Sequence, residues 1–158
     1  MQEQYFASHQ ESGPRRALEN VQESAWWSKH LARRTGHYYL AATLILTIVS
    51  LGALLVSIET IQNYDVLSNV GRVVTSTFML VFSLGLVRFT LGYYRFGASA
   101  AQIEGKAEHL LESDDSDPLQ AIKVMHEYQL ARAVAPLLSS WIWKLMSDDL
   151  NSLWKTYR

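Results

Sequence analysis

The sequence predicts an all-α integral membrane protein: a two-helix hairpin with long cytoplasmic helical extensions and C-terminal amphipathic helices. Three observations predict it. Tyr38 to Ile58, YYLAATLILTIVSLGALLVSI, contains no charged residue. A second apolar run lies between Val70 and Leu91, and outside the two runs the chain is polar with apolar residues at helical spacing. With 49% hydrophobic and 18% charged residues the average composition is that of a soluble domain. The partition along the chain, not the average, therefore carries the prediction.

The polar residues 1–37 are expected to form a cytoplasmic N-terminal helix. Pro14 follows Ser12 and Gly13 and suits a first helical turn, and no Pro or Gly intervenes before Thr35. Leu18, Val21, Ala25 and Leu31 or Ala32 recur on one face, so this helix can run on into the first span with Gly36 as its weak point. The stretch MQEQYFASHQESGPRRALENVQES mixes acids and bases, which fits neither a cleavable signal nor a transit peptide; the first span is expected to act as its own uncleaved membrane signal.

The first span, 38–58, would reach roughly 31 Å as a helix, close to the hydrocarbon thickness of a bilayer. Eleven of its residues are Leu, Ile or Val, worth roughly 3 to 7 kcal/mol in favour of insertion. The competing reading is a core helix of a soluble bundle. It requires other apolar segments to surround this one, and the chain has few.

The second span, about 70–91, is bracketed by Arg72 and Arg88, whose long side chains can carry the guanidinium to the headgroups while the stem stays in hydrocarbon. Tyr38 and Tyr39 open the first span, and Tyr93, Tyr94 and Arg95 follow the second, so antiparallel spans would share one aromatic and basic belt with Arg88 as a further anchor. Helical phase sets Arg88 on a different side of the helix from Arg72, Ser76, Ser83 and Thr90. The intervening residues 59–71, ETIQNYDVLSNVG, hold two acids and no Lys or Arg, whereas Lys29, Arg33, Arg34, Arg95 and Lys106 flank the spans on the other side. Under the positive-inside rule 59–71 is an extracytoplasmic loop and both termini are cytoplasmic, giving a multi-pass membrane protein.

Residues 72–112 combine the second span with a cytoplasmic extension in which Ala100, Ile103, Ala107 and Leu110 share one side. Two such projections would pair. SDDSD, Ser113 to Asp117, lacks the glycine and distal glutamate of a calcium loop and reads instead as a break followed by a helix start, with Asp117 as N-cap and Pro118 at the first position. The remainder, 113–158, forms cytoplasmic helices: one ending near Pro136, then a last one with Leu138, Trp141, Ile142, Leu145, Leu150, Leu153, Trp154 and Tyr157 on one broad side. That side could pack on the hairpin, on another subunit or on the inner leaflet.

Enzymatic chemistry finds no signature. The chain has no Cys, and its five His show no close metal spacing; there is no glycine-rich phosphate loop and no nucleophile elbow. No catalytic residue, cofactor or metal is expected, and a net charge of −1 gives no electrostatic case for nucleic acid. The spans carry hydroxyl stripes instead. Thr43, Thr47, Ser50 and Ser57 fall within about 80° on the first helix, and Ser76, Ser83 and Thr90 share about 40° with Arg72 on the second. Such stripes let helices approach and hydrogen bond, or they line a weakly polar conduit between assembled hairpins. Sequence geometry leaves both open.

The entry ESAWWSKHLARR, Glu23 to Arg34, and the exit GYYRFGASAAQIEGKAEHLLE, Gly92 to Glu112, resemble those of the SLATT family, two-transmembrane effectors of bacterial defence and second-messenger systems. The resemblance spans roughly Glu23 to Glu112 and is carried by residue types: an aromatic pair and bases before the first span, an aromatic and arginine after the second. It implies an effector that waits for a sensor, then oligomerises and permeabilises the inner membrane, as in abortive infection against phage. By position it would make Trp26, Trp27 and Lys29 the signal-receiving region and Tyr94 and Arg95 the matching exit; Trp141 and Trp154 are further candidates for subunit or signal contact. Its partners would be the bilayer, further copies of itself and a separate sensor or messenger-producing protein, because no nucleotide-binding segment is recognisable in this chain. A structural or regulatory membrane subunit that scaffolds a partner through its cytoplasmic helices is the alternative.

Overall fold

The computed structural model describes residues 8, 12–83, 85–113, 117–137 and 140–157, with the side chains of Ser83, Ser140, Trp141, Lys155 and Tyr157 outside the description. All regular structure among the described residues is helical, in the order α1 (Pro14–Thr60), α2 (Tyr64–Ser83), α3 (Leu86–Glu112), α4 (Pro118–Ala133) and α5 (Ser140–Tyr157). Two compact units share these helices: one comprises Met1–Arg34 with Gly92–Arg158, the other Thr35–Leu91.

Helix α1 runs without interruption for 47 residues from Pro14 through Gly36 into the apolar segment, about 70 Å at 1.5 Å per residue. Its end and the start of α2 differ from expectation. Only Ile61, Gln62 and Asn63 separate the two helices, so most of the segment expected to loop over 59–71 is helical. The cause is a helix start within it: the Asn63 side chain accepts a hydrogen bond from the Asp65 backbone N–H at 2.9 Å, and Asp65 sits in the first turn where a carboxylate complements the helix dipole.

The second apolar run is not one helix. Gly85 has φ 66°, a left-handed conformation that an L side chain adopts only at a cost, and it separates α2 from α3. The Gly85 N–H bonds back to the Phe82 carbonyl at 3.0 Å, tightening the last turn of α2, and the Phe89 N–H bonds to the Gly85 carbonyl at 2.8 Å to open α3.

In the first unit the opening half of α1 packs on α3 and α4. Leu18, Val21, Ala25, Ile103, Ala107, Ala121, Val124 and Tyr128 form its core, flanked by Leu110, Leu111, Met125 and Ala131. Ala25, Ala32, Ala100 and Ala107 are fully buried, and these small side chains let the helices approach closely. At Gly97 the approach is close: a Cβ there would stand 3.1 Å from Arg33 Cγ and 3.6 Å from the Lys29 carbonyl oxygen. Asp117 caps α4 by accepting from the Leu119 N–H at 2.9 Å, with Pro118 in the first turn as the sequence predicts. Helix α5 buries Ile142, Met146 and Leu150 against Leu31 and Trp27 of α1. This corrects the broad face expected for it: Leu145 and Leu153 are exposed, because a helix packed through positions four apart turns the intermediate residues to solvent. Leu138 and the side chains of Trp141 and Tyr157 lie outside the described residues.

Candidate functional site

In the second unit many of the large apolar side chains point outward. Ile45, Ile48, Val49, Leu55 and Val56 of α1, and Val73, Met79 and Phe82 of α2, are each exposed by 61% or more. Both apolar helical runs are long and apolar enough to cross a membrane, and only 6% and 12% of their apolar windows are buried. A soluble core helix would bury such residues.

The less exposed face of α1 in this unit carries Thr43, Thr47, Ser50, Leu54 and Ser57, with Ser50 at 8%. The first hydroxyl stripe is therefore the shielded side. Thr43, Thr47 and Ser57 satisfy their hydroxyls within the helix, donating to the carbonyls of Tyr39, Thr43 and Ala53 at 2.7–2.8 Å. On α2 the shielded positions are Val74 and Val81, whereas Arg72 and Ser76 are exposed. Thr90 on α3 is buried and donates to the Leu86 carbonyl at 2.8 Å. The second stripe is thus split, exposed at Arg72 and Ser76 and buried at Thr90, and the Ser83 side chain lies outside the described residues. Tyr39 and Phe89 meet with ring centroids 5.8 Å apart, which sets the entry of the first apolar run beside the end of the second.

The expected anchors divide. Tyr38, Arg88 and Arg95 are exposed, and Tyr39 and Tyr94 are half-buried. Tyr93 is 1% exposed, and its hydroxyl donates to the Leu137 carbonyl at 2.8 Å. A ring enclosed by protein cannot serve a lipid belt, so Tyr93 is a packing residue that ties α3 to the connection between α4 and α5.

The aromatic pair before the first apolar run belongs to a cluster in the first unit. Trp26 is 3% exposed; it packs edge-on against Trp27 at 5.6 Å and at a tilt against Trp154 at 5.0 Å and His30 at 4.3 Å between centroids. Trp27 in turn meets Trp143 at 5.4 Å. Beside this cluster Lys29 Nζ lies 2.5 Å from Glu104 Oε2, with the two side chains 16% and 6% exposed. Burial and then the adjacent Lys29 charge hold the His30 imidazole below its ordinary 6.5, while Glu104 opposes the shift. Exposed pairs join Arg34 to Asp149 and Lys106 to Glu127. Tyr128 spans the same unit, its hydroxyl 2.9 Å from Ser28 Oγ and donating to the Ser24 carbonyl at 3.2 Å.

Trp26, Trp27, Lys29 and Trp154 were singled out from sequence and are brought together here; the Trp141 side chain lies outside the described residues. Glu104, His30 and Trp143 were missed. Trp143 stands on the WIWKL segment, and its spacing from Trp154 gave no hint that both would reach the same α1 turn. A cavity of about 330 Å³ opens in this unit between Ser8, Arg15, Glu19, Glu23, Glu108 and Trp154. Its three carboxylates against one guanidinium repel a phosphate-bearing ligand. Among the described residues no group of three His, Asp or Glu side chains converges on a metal position. Comparison with protein-family models, curated proteins and solved structures finds no match to this chain, so the reading of function rests on these helices and side chains.

Proposed function

We propose that this chain is a two-span membrane effector of the SLATT kind: a hairpin with both ends in the bacterial cytoplasm that oligomerises and permeabilises the inner membrane in anti-phage defence. The observation that carries the proposal is the outward apolar surface of the two helical runs over Thr35–Leu91. At about 25 cal/mol per Å², that much apolar area in water is a large penalty, which lipid removes. The polar first unit, with its ion pairs and tryptophan cluster, is the cytoplasmic part on which a separate sensor would act.

Within this reading the stripes take different roles. Thr43, Thr47, Ser50 and Ser57 occupy the shielded face and serve helix contact. The exposed Arg72 and Ser76 remain available to a conduit formed between copies.

Induction in bacteria, together with its sensor and trigger, is expected to admit a membrane-impermeant dye and to collapse the membrane potential. Absence of permeabilisation in every state, accompanied by a stable partner complex, overturns the effector reading in favour of a scaffolding subunit.

A further inference from the structure

The connection between α4 and α5 holds two of the most exposed large apolar side chains among the described residues, Val134 at 86% and Leu137 at 94%. Single exposed apolar residues are ordinary; the position of these two is not. Pro136 packs so tightly on Gly92 that a Cβ at Gly92 would lie 2.8 Å from Pro136 Cγ. The next residue, Tyr93, donates its hydroxyl to the Leu137 carbonyl at 2.8 Å. Gly92 follows Leu91, the last residue of the second apolar run, in the same continuous helix α3. The connection is therefore clamped, by one steric and one hydrogen-bonded contact, to the turn of α3 where the apolar run ends.

We propose that Val134 and Leu137 insert into the headgroup–acyl boundary of the bilayer beside the exit of the second span. The inference rests on the two-span reading. If α3 leaves the hydrocarbon near Leu91, whatever is clamped to Gly92 and Tyr93 lies at interfacial depth, where an apolar side chain is favoured over water. Arg95, one turn beyond Leu91, and Arg132, two residues before Val134, are exposed and supply cations for lipid phosphates. A protein occupant is disfavoured by area. Two aliphatic side chains fall well short of the roughly 800 Å² per partner of a stable interface, whereas lipid requires no complementary shape.

The chain contains no Cys, so single cysteines can be placed at Leu137, at Leu119 near the opposite end of α4, and at Ile48 in the first apolar run. Each of these residues is exposed, which makes the replacement tolerable. Labelled with a polarity-sensitive fluorophore in phosphatidylethanolamine–phosphatidylglycerol vesicles, position 137 is expected to shift to the blue and to be quenched by lipids with shallow nitroxides. Position 119 should remain water-exposed, and position 48 should be quenched by deep nitroxides. A water-exposed 137 with a lipid-quenched 48 overturns this inference alone; a water-exposed 48 overturns the two-span reading as well. Shielding of 137 that is insensitive to lipid nitroxides and grows with protein-to-lipid ratio identifies a second copy as the occupant, and also overturns it.

Discussion

Lys29 of α1 and Glu104 of α3 form a salt bridge of 2.5 Å inside the helical unit that precedes and follows the apolar runs. With both side chains largely withdrawn from water, neither charge is well solvated without the other. Removing one partner, as in Glu104→Gln, is expected to destabilise this unit by about 3 kcal/mol, the lower end for buried pairs because Lys29 keeps some solvent. Replacing both with Met should recover most of that loss. Thermal unfolding of the parent chain and the two variants in one detergent checks the pattern; equal losses in the single and double variants would count against it.

His30 sets a pH dependence. Its folded value lies below 6.5, so as the pH falls through 6.5 the unfolded chain takes up the proton before the folded one. The stability tied to neutral His30 is present above that pH and is lost as the pH falls through the lowered folded value. Melting temperature is expected to drop between pH 7.5 and pH 5, and His30→Gln should flatten the drop. An unchanged slope in the variant would remove His30 as its source.

Two glycines of α3 predict opposite signs. A Cβ at Gly92 meets the rigid Pro136 ring at 2.8 Å, and Gly92→Ala should destabilise by about 1–3 kcal/mol despite the better helix propensity of Ala. At Gly105 nothing lies within 4 Å, and Gly105→Ala should stabilise by about 0.5–1 kcal/mol. Denaturation midpoints of the pair test the packing of α3 directly.

Topology has a chemical test of its own. A Cys at Asn63, in the turn between α1 and α2, should react with an impermeant maleimide on intact cells, while one at Ser113 should react only after lysis. The reverse pattern inverts the orientation, and protection of both in intact cells removes the exposed loop.

The stripes can be separated by substitution. Ser50 is 8% exposed, so Ser50→Leu overfills a shielded contact and is expected to lower stability by about 1–3 kcal/mol with little direct effect on ion flux. Ser76 is exposed, and Ser76→Leu should reduce ion flux several-fold while leaving the melting temperature within about 2 °C, as surface changes usually do. If the two variants exchange effects, the shielded stripe is the conduit.

Sequence alone was enough for features that depend on neighbours along the chain. Helical periodicity marked Leu18, Val21, Ala25, Ala100, Ile103 and Ala107 as inward-facing, the uncharged run 38–58 marked a helix able to cross a membrane, and Asp117–Pro118 marked the start of α4. Each signal is local, because capping and periodicity act within a turn or two. The short turn at 61–63 was missed for the opposite reason: an Asn cap in a polar stretch looks like loop until its hydrogen bond is seen.

Tertiary structure alone decided which distant groups meet. Lys29 finds Glu104, Trp26 finds Trp154, and Tyr93 turns inward to Leu137 rather than outward, none of which periodicity encodes. Gly85 was visible in the sequence as one glycine in an apolar run, but whether it breaks a helix depends on its backbone angle. The exposure that carries the functional reading is of the same kind. Composition identified the apolar residues, and only the packing left them facing outward.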